Sequence, residues 1–254
     1  MSDVRSFYDE LATDYHLVYE DWRQAVQRQG KVLNDLIRSQ LGDRTCTILD
    51  CSCGIGTQAI GLALHAHAVH ATDLSARSVE RARREATTFG VEISFNVADM
   101  RKLANVVPGT FDVVLSCDNS LPHLLTDDDL RTAIDHVRQK MRPGGLVVIG
   151  LRDYDEVVRT HPRSTPPQVQ NQADGRTVIF QLWNWDDDGR TYDLSLFVLR
   201  HHDERWEVTC HTTRYRALLR AELDDLLTST GFTGITWHEP ESTGHHQPLV
   251  TARA

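Results

Sequence analysis

The amino-acid sequence predicts an α/β protein with a mostly parallel sheet, helices on both sheet faces and a small antiparallel sheet inserted late in the chain. Strand-like and helix-like segments alternate over residues 46–152, and the strands there are continuous apolar runs. This pattern is typical of a parallel sheet that is buried on both faces. Beyond residue 152 the alternation gives way to a Pro-rich stretch and three strand-like runs, which predict the antiparallel insertion.

Caps and turns bound the predicted elements. Helical spacing of apolar residues predicts a first helix from Trp22 to Leu41, ended by Gly42. Ser75 is placed to cap a helix that runs to about Phe89, and Thr126 to cap one that runs to about residue 141. A third helix is predicted at 57–65, and the strands of this region at 45–51, 68–73, 91–99, 111–117 and 146–152. The insertion has predicted strands at 177–185, 191–201 and 206–216, and a helix at 218–231 then precedes strands at 234–239 and 247–254.

Composition restricts the class of protein. The chain has 254 residues, 40% of them hydrophobic, and a formal net charge of -9 without a long Lys/Arg run, which disfavours nucleic acid as a partner. No apolar run reaches 18 residues and the N-terminal residues are polar and acidic, so we expect a cytoplasmic protein with no membrane partner. The odd number of cysteines, five, predicts free thiols. An oligomer is possible but nothing in the sequence indicates one.

A glycine-containing loop joins the first predicted strand to the next helix. It reads Asp50-Cys51-Ser52-Cys53-Gly54-Ile55-Gly56. Glycine lets the backbone turn sharply, and the helix N-terminus beyond favours negative charge or hydrogen-bond acceptors. An NAD-binding loop needs a third glycine that this chain lacks, which argues against an NAD-dependent oxidoreductase. Zinc needs four ligands, and Cys51 and Cys53 have no partner pair, so we expect no metal.

Polar residues also follow three later strands. Asp73 ends the second strand, and a carboxylate there can accept both hydroxyls of a ribose. Asp99 and Met100 end the third, where the acid can accept an adenine amino group and the thioether can cover the ring. Cys117, Asp118 and Asn119 end the fourth. Because parallel strands present their carboxyl ends at one sheet edge, the four turns together predict a nucleoside site.

Five stretches carry a family resemblance: "LDCSCGIGTQAIGLA", "ATDLSARSVERAR", "VADM", "FDVVLSCDNSLPHL" and "RPGGLVVIGLRDYD". They resemble the successive motifs of class I S-adenosylmethionine-dependent methyltransferases over roughly residues 40–155. The usual loop has glycine where this chain has Ser52. The resemblance implies a Rossmann-like, seven-stranded class I fold, with S-adenosylmethionine as cofactor and S-adenosylhomocysteine as product. It implies four parts: an N-terminal lid and helix (1–42), a cofactor-binding core (43–156), a substrate-cap insertion (157–217) and a final helix with two strands (218–254).

The resemblance also implies residue roles at the cofactor. Asp73 would hold the ribose, Leu74 would flank the adenine, and loop peptides would line the methionine part. In the family, a tyrosine of the lid contacts the cofactor and an arginine of the first helix meets its carboxylate; these roles carry over to Tyr15 and, less directly, to Arg28. The aromatic residues of this segment could instead pack the helix against the sheet. The complete expected cofactor set is Tyr15, Arg28, Asp50, Cys51, Ser52, Cys53, Gly54, Gly56, Asp73, Leu74, Asp99, Met100, Cys117 and Asp118.

Residues that would bind the methyl acceptor follow from similarity to one group within this family. The stretches "CDNSLPHL" and "LRDYDEVV" are similar to those of glycine and glycine/sarcosine N-methyltransferases. By that likeness Arg152 would receive a substrate carboxylate and Asn119 would orient the amine or carboxylate, as a catalytic and substrate-binding residue. His123 is the candidate general base, but a structural hydrogen-bonding role is equally open.

The expected function is methyl transfer to a small-molecule acceptor, with an amine nitrogen favoured. Two alternatives stay open: an O-methyltransferase that uses His123 as base, and a catalytically inactive cofactor-binding module. Aromatic residues of the insertion could roof a substrate site or form an ordinary sheet core. His245 and His246 could form a metal pair, but an exposed loop is the favoured interpretation.

Overall fold

A seven-stranded sheet forms the centre of the protein in a computed structural model that describes residues 3–172, 175–203 and 205–254. Its strand order is β10-β11-β5-β4-β1-β2-β3, with all neighbours parallel except those of β11. The seven strands are β1 Thr47–Asp50, β2 Ala68–Asp73, β3 Ser94–Val97, β4 Phe111–Ser116, β5 Met141–Gly150, β10 Thr233–His238 and β11 Leu249–Arg253. The predicted fold class is therefore confirmed.

Helices cover both faces of this sheet. They are α1 Val4–Leu11, α2 Trp22–Leu41, α3 Thr57–Leu64, α4 Ala76–Phe89, α5 Leu103–Val106, α6 Asp127–Gln139, α7 Tyr154–Thr160, α8 Arg220–Ser229 and α9 Pro240–Thr243. The predicted caps are present: Ser75 accepts a hydrogen bond from the backbone N–H of Ser78, and Thr126 accepts one from that of Asp129. None of the described helices combines the length and apolar character needed to cross a bilayer.

A second, antiparallel sheet follows α7. It contains β6 Gln168–Gln172, β7 Gly175–Trp185, β8 Thr191–His202 and β9 Arg205–Arg216, in that order. Helix α1 packs against β9. One apolar cluster runs from Val114 and Ile149 of the central sheet to Trp183 and Leu194 of the second sheet. The insertion is therefore packed onto the α/β core through a shared apolar interior.

The predicted bounds of β3 and β5 were wrong, and several elements were missed, among them β6 and α1. Strand β3 is shorter than 91–99 because it is an edge strand, and only Ser94–Val97 pairs with β2. Strand β6 was missed because its sequence, QVQNQ, lacks the apolar alternation by which strands are detected. Helix α1 was missed because it is short and buries only Phe7 and Leu11. Strand β5 begins at Met141, five residues early, because Met141 pairs with Phe111 of β4 before the Gly144 turn.

Candidate functional site

Two cavities open at the carboxyl ends of the parallel strands. The first, here called the loop cavity, has a volume of about 360 Å³ and is bounded by Cys51–Gly54 and the residues that follow β2 and β3. The second, here called the cap cavity, has a volume of about 760 Å³ and lies between α2 and the second sheet. Tyr8, Tyr15 and Asp118 line both cavities, so the two form neighbouring compartments.

The glycine loop turns beneath the loop cavity. Gly54 and Gly56 have φ angles of +51° and +97°, which favour glycine. A Cβ at Gly54 would meet no atom within 4 Å, whereas one at Gly56 would come within 2.9 Å of the Ile60 Cδ1 atom. Gly54 therefore leaves room for a ligand, and Gly56 is needed for packing. The Asp73 carboxylate accepts hydrogen bonds from the backbone N–H groups of Gly54 and Ser75, each at 2.8 Å.

Three predicted cofactor residues lie away from the cavity surface. Asp50, Gly56 and Cys117 line neither cavity. Asp50 is fully buried, accepts a hydrogen bond from the Ser52 N–H, and its desolvation raises the pKa to about 8. Burial also raises the pKa of the Cys117 thiol. Asp50 and Cys117 therefore lie in the interior behind the turns, and neighbouring residues form the cavity surface.

The Asp99 carboxylate already has strong partners. It accepts hydrogen bonds from the backbone N–H and the guanidinium of Arg101, whose other nitrogen reaches Asp129. Asp99, Met100 and Arg101 all line the loop cavity, as does Leu74. Arg101 did not figure in the sequence prediction because an arginine two residues after an aspartate is ordinary surface sequence.

The turn after β4 has an uncommon backbone. Asp118 and Asn119 have φ angles of +54° and +66°, in the left-handed region that non-glycine residues rarely occupy. The Asn119 side chain is 2% exposed; its amide N–H donates to the Tyr154 hydroxyl at 2.9 Å and its oxygen accepts from the Arg152 N–H at 3.2 Å. Asn119 lines the cap cavity, and its amide is hydrogen-bonded to residues that follow β5.

Arg152 lies in an aromatic enclosure at the cap cavity. Its guanidinium carbon lies 4.8 Å from the ring centroid of Trp183 and 5.3 Å from that of Tyr215, and one guanidinium nitrogen donates to the Tyr192 hydroxyl at 3.0 Å. A second nitrogen lies 3.5 Å from Oε1 of Gln181. Within residues 3–172, 175–203 and 205–254 no carboxylate forms an ion pair with Arg152. The cavity therefore contains a partly buried cation available to an anion.

His123 is enclosed by aromatic side chains. Its Nε2 atom lies 2.8 Å from the Tyr8 hydroxyl, and its Nδ1 atom lies 3.3 Å from the backbone oxygen of Arg214. The ring packs against Tyr215 with a centroid distance of 4.0 Å. Burial lowers the pKa of His123 to about 3, so the imidazole is neutral near pH 7. In that state Nδ1 donates to the backbone oxygen and Nε2 accepts from Tyr8.

The expected lid residues lie at the cavities. Tyr15 lines both cavities and burial raises its pKa, so its hydroxyl stays protonated. Arg28 is exposed and lines the cap cavity. Sequence reasoning gave no role to Tyr19 or Gln58, which both donate to the Asp118 carboxylate. Gln58 lies in the first turn of α3, directly after the glycine loop, whereas Tyr19 precedes α2 and has no such signal in the sequence.

The interpretation of His245 and His246 as an exposed loop was wrong for His245. His245 is 2% exposed, because its loop folds under the turn after β4. His246 is exposed and its Nε2 atom lies 3.2 Å from Oδ1 of Asp118. The sequence could not reveal this contact because Asp118 lies near the middle of the chain and His246 near its C-terminal end.

Comparisons with known proteins agree with this geometry. Residues 48–145 match the model of a methyltransferase domain. The chain is 26% identical over 228 residues to YqeM of Bacillus subtilis (strain 168), whose name proposes a methyltransferase, across 89% of this chain and 84% of that one. It is 28% identical over 191 residues to the glycine/sarcosine N-methyltransferase of Parasynechococcus marenigrum (strain WH8102), across 71% of this chain and 66% of the relative.

A solved structure shares the fold. It is the S-adenosylmethionine-bound amino pentose methyltransferase CalS10 from Micromonospora echinaspora, with a TM-score of 0.73 at 18% identity, over 90% of this chain and 91% of that one. The matched domain and the related sequences support an S-adenosylmethionine-dependent methyltransferase, and the central sheet has the fold of class I methyltransferases.

Proposed function

We propose that the protein methylates an amine nitrogen of a small acceptor that also carries an anionic group such as a carboxylate. The observation that carries this proposal is the Arg152 guanidinium, which faces the cap cavity without an acidic partner among the described residues. A planar guanidinium suits bidentate binding of a carboxylate. The glycine/sarcosine N-methyltransferase relative supports an amine.

The loop cavity suits the cofactor. Asp73 directs a half-buried carboxylate there, with acceptor capacity left for the ribose hydroxyls beyond its two backbone hydrogen bonds. Leu74 and Met100 offer apolar surface for the adenine, and Gly54 leaves open space beside the peptide groups. S-adenosylmethionine supplies a methyl carbon that its sulfonium makes electrophilic. We propose that the remaining expected residues at this cavity, Tyr15, Cys51, Ser52, Cys53, Asp99 and Asp118, bind the rest of the cofactor.

Orientation is then the main task of the protein's own side chains. Arg152 would hold the acceptor's anionic group, while Asn119 and Tyr192 hold Arg152 through its backbone N–H and its guanidinium. Tyr8 lines both cavities, and its hydroxyl donates a hydrogen bond to Nε2 of His123, which fixes the direction of the hydroxyl oxygen. Positioning of this kind is sufficient for an amine, whose neutral form attacks without a catalytic base.

The environment of His123 favours the amine over a hydroxyl acceptor. A hydroxyl needs a base near pKa 7, and an imidazole with a pKa of about 3 removes such a proton poorly. The Nε2 atom is also occupied by the Tyr8 hydroxyl. These two features support the structural hydrogen-bonding role of His123 over the general-base role.

An acceptor screen tests the proposed function. We expect release of S-adenosylhomocysteine with amino acids and related carboxylate-bearing amines, and little release with phenols or with amines that lack an anionic group. Use of S-adenosylmethionine labelled with ¹³C at the methyl group, followed by NMR of the product, identifies the methylated atom. Products that carry the label only on oxygen would contradict the proposal.

A pH profile tests the role of His123. Because its pKa is about 3, the imidazole is already neutral at pH 5, and we expect no inflection from it in kcat between pH 5 and 9. A base with an ordinary pKa would instead make kcat fall tenfold per pH unit below about pH 6.5. We expect His123→Ala and Tyr8→Phe each to lower kcat about 10-fold, the scale of one lost hydrogen bond.

The double variant separates the two roles further. Tyr8 and His123 act through one shared hydrogen bond, so Tyr8→Phe combined with His123→Ala should lower kcat little more than either change alone. Additive losses, or an acid inflection that disappears in His123→Ala, would restore the general-base role.

A further inference from the structure

Three metal-ligating side chains converge beside the cap cavity. Asp118 follows β4, whereas His245 and His246 precede β11. One donor atom of each lies within 4.8 Å of the others, and Oδ1 of Asp118 lies 3.2 Å from Nε2 of His246. Strands β4 and β11 both flank β5, so the central sheet brings these distant segments together.

His245 has a buried nitrogen without a hydrogen-bond partner. Its Nδ1 atom lies 3.1 Å from the backbone oxygen of Gln247 and 3.3 Å from the backbone nitrogen of the same residue. In the tautomer that follows the shorter contact, Nδ1 is protonated and donates to that oxygen. The Nε2 atom then carries a lone pair, and within the described part of the chain nothing hydrogen-bonds to it. Because the residue is only 2% exposed, water has little access to this atom. Histidines that bind metals commonly donate their other ring N–H to a backbone carbonyl in this way. An unpaired buried acceptor is otherwise costly.

Asp118 is similarly prepared by its neighbours. Its Oδ2 atom accepts hydrogen bonds from the Tyr19 hydroxyl at 2.7 Å and from the Gln58 amide at 2.8 Å. Oδ1 accepts no hydrogen bond from any described residue and is directed toward His246. Hydrogen bonds to the outer oxygen of a carboxylate are the usual means by which a metal-binding carboxylate is oriented.

We propose that Asp118, His245 and His246 bind a divalent transition-metal cation, with Zn²⁺ as the best match. Two imidazoles and one carboxylate form a donor set that suits Zn²⁺, Co²⁺ and Ni²⁺. Two ligands on a tetrahedral zinc ion lie about 3.3 Å apart, close to the separation of Asp118 and His246. His245 completes the set by a small inward movement.

The free coordination positions of such an ion would face the cap cavity, because Asp118 and His246 line it. An oxygen atom of the acceptor, from a hydroxyl or carboxylate, can complete the coordination shell there. Two arginines of the cap cavity oppose the ion: Arg28, which is exposed so that water screens its charge, and Arg152, which is only partly exposed. A metal-free ion pair between Asp118 and His246 is the competing arrangement, and it leaves Nε2 of His245 unpaired.

Titration of the chelator-treated full-length protein with Co²⁺ tests the proposal. We expect one Co²⁺ per chain, with the visible absorption of a nitrogen and oxygen site and without the thiolate charge-transfer band that cysteine ligands produce. Zn²⁺ should displace the Co²⁺ and remove the absorption. The Cys210→Ser variant should bind equally well, which excludes the exposed thiol as the ligand.

Variants locate the site. We expect His246→Ala and Asp118→Asn each to weaken Co²⁺ binding at least about 10-fold, and the exposed-histidine control His65→Ala to bind normally. His246 is exposed and does not line the loop cavity, so retained S-adenosylmethionine affinity in His246→Ala verifies its fold. Failure of the native chain to bind Co²⁺, or a loss in His246→Ala smaller than about 10-fold, overturns the proposal.

Discussion

Replacement of Asp73 by asparagine should weaken S-adenosylmethionine binding by at least about 100-fold. The carboxylate accepts two backbone hydrogen bonds at 2.8 Å, from Gly54 and Ser75, and keeps acceptor capacity toward the loop cavity. An amide has one acceptor oxygen, so its NH₂ group would face one of these N–H donors. Without the charge, we expect both hydrogen bonds from the ribose hydroxyls to be lost, and two charge-assisted hydrogen bonds at about 1.5 kcal/mol each correspond to roughly that factor.

The matched control for this change is Asp9→Asn. Asp9 belongs to α1, and its carboxylate contacts the N-terminus of α4, where it accepts hydrogen bonds from the Ser75 hydroxyl and the Arg77 N–H. It does not line the loop cavity. Asp9→Asn removes the same charge beside the same helix, and we expect affinity within about 3-fold of the native value. Isothermal titration measures both variants. Equal losses in the two would assign the effect to helix α4 and remove Asp73 from the ribose role.

Replacement of Arg152 by methionine should lower kcat/KM for a carboxylate-bearing acceptor by about 100-fold or more. A buried bidentate ion pair that loses one partner costs about 3 kcal/mol. Cofactor affinity should be unchanged, because Arg152 lines the cap cavity and not the loop cavity. Arg152→Lys should recover only part of the loss, since an ammonium group lacks the planar pair of donors.

Thermal stability separates this effect from unfolding. Arg152 is a cation enclosed by Trp183 and Tyr215 with no acidic partner in the described residues, so an apolar side chain of similar size should cost little stability. The matched control is Arg159→Met, which removes an exposed arginine paired with Glu156 on α7 and should leave kcat/KM unchanged. Normal KM for the carboxylate acceptor in Arg152→Met would contradict the proposed recognition.

The glycine loop and the helix caps could be predicted because their signals are local. Ser75 caps α4 through the Ser78 N–H, three residues away, and Gly42 ends α2 where the apolar periodicity stops. Strand β6 could not be predicted, because its polar residues form a strand only when β7 is present to pair with them. A polar strand shows no apolar alternation in the sequence, even when its partner is the next strand along the chain.

The candidate site likewise has features that local sequence signals predict and features that depend on tertiary contacts. Apolar runs, glycine positions and acidic strand ends, such as Asp73 and Asp99, are set by the order of residues. The sequence by itself therefore determined the fold class and, through the family resemblance of its motifs, the cofactor. Whether each side chain is available to bind a ligand depends on hydrogen-bond and ion-pair partners that are distant in the sequence. Only the tertiary structure decided that Arg152 lacks an acidic partner among described residues and that His123, 115 residues from Tyr8, has its Nε2 atom occupied. Burial and pairing are properties of the packed sheets, and residue order encodes them only through the complete fold.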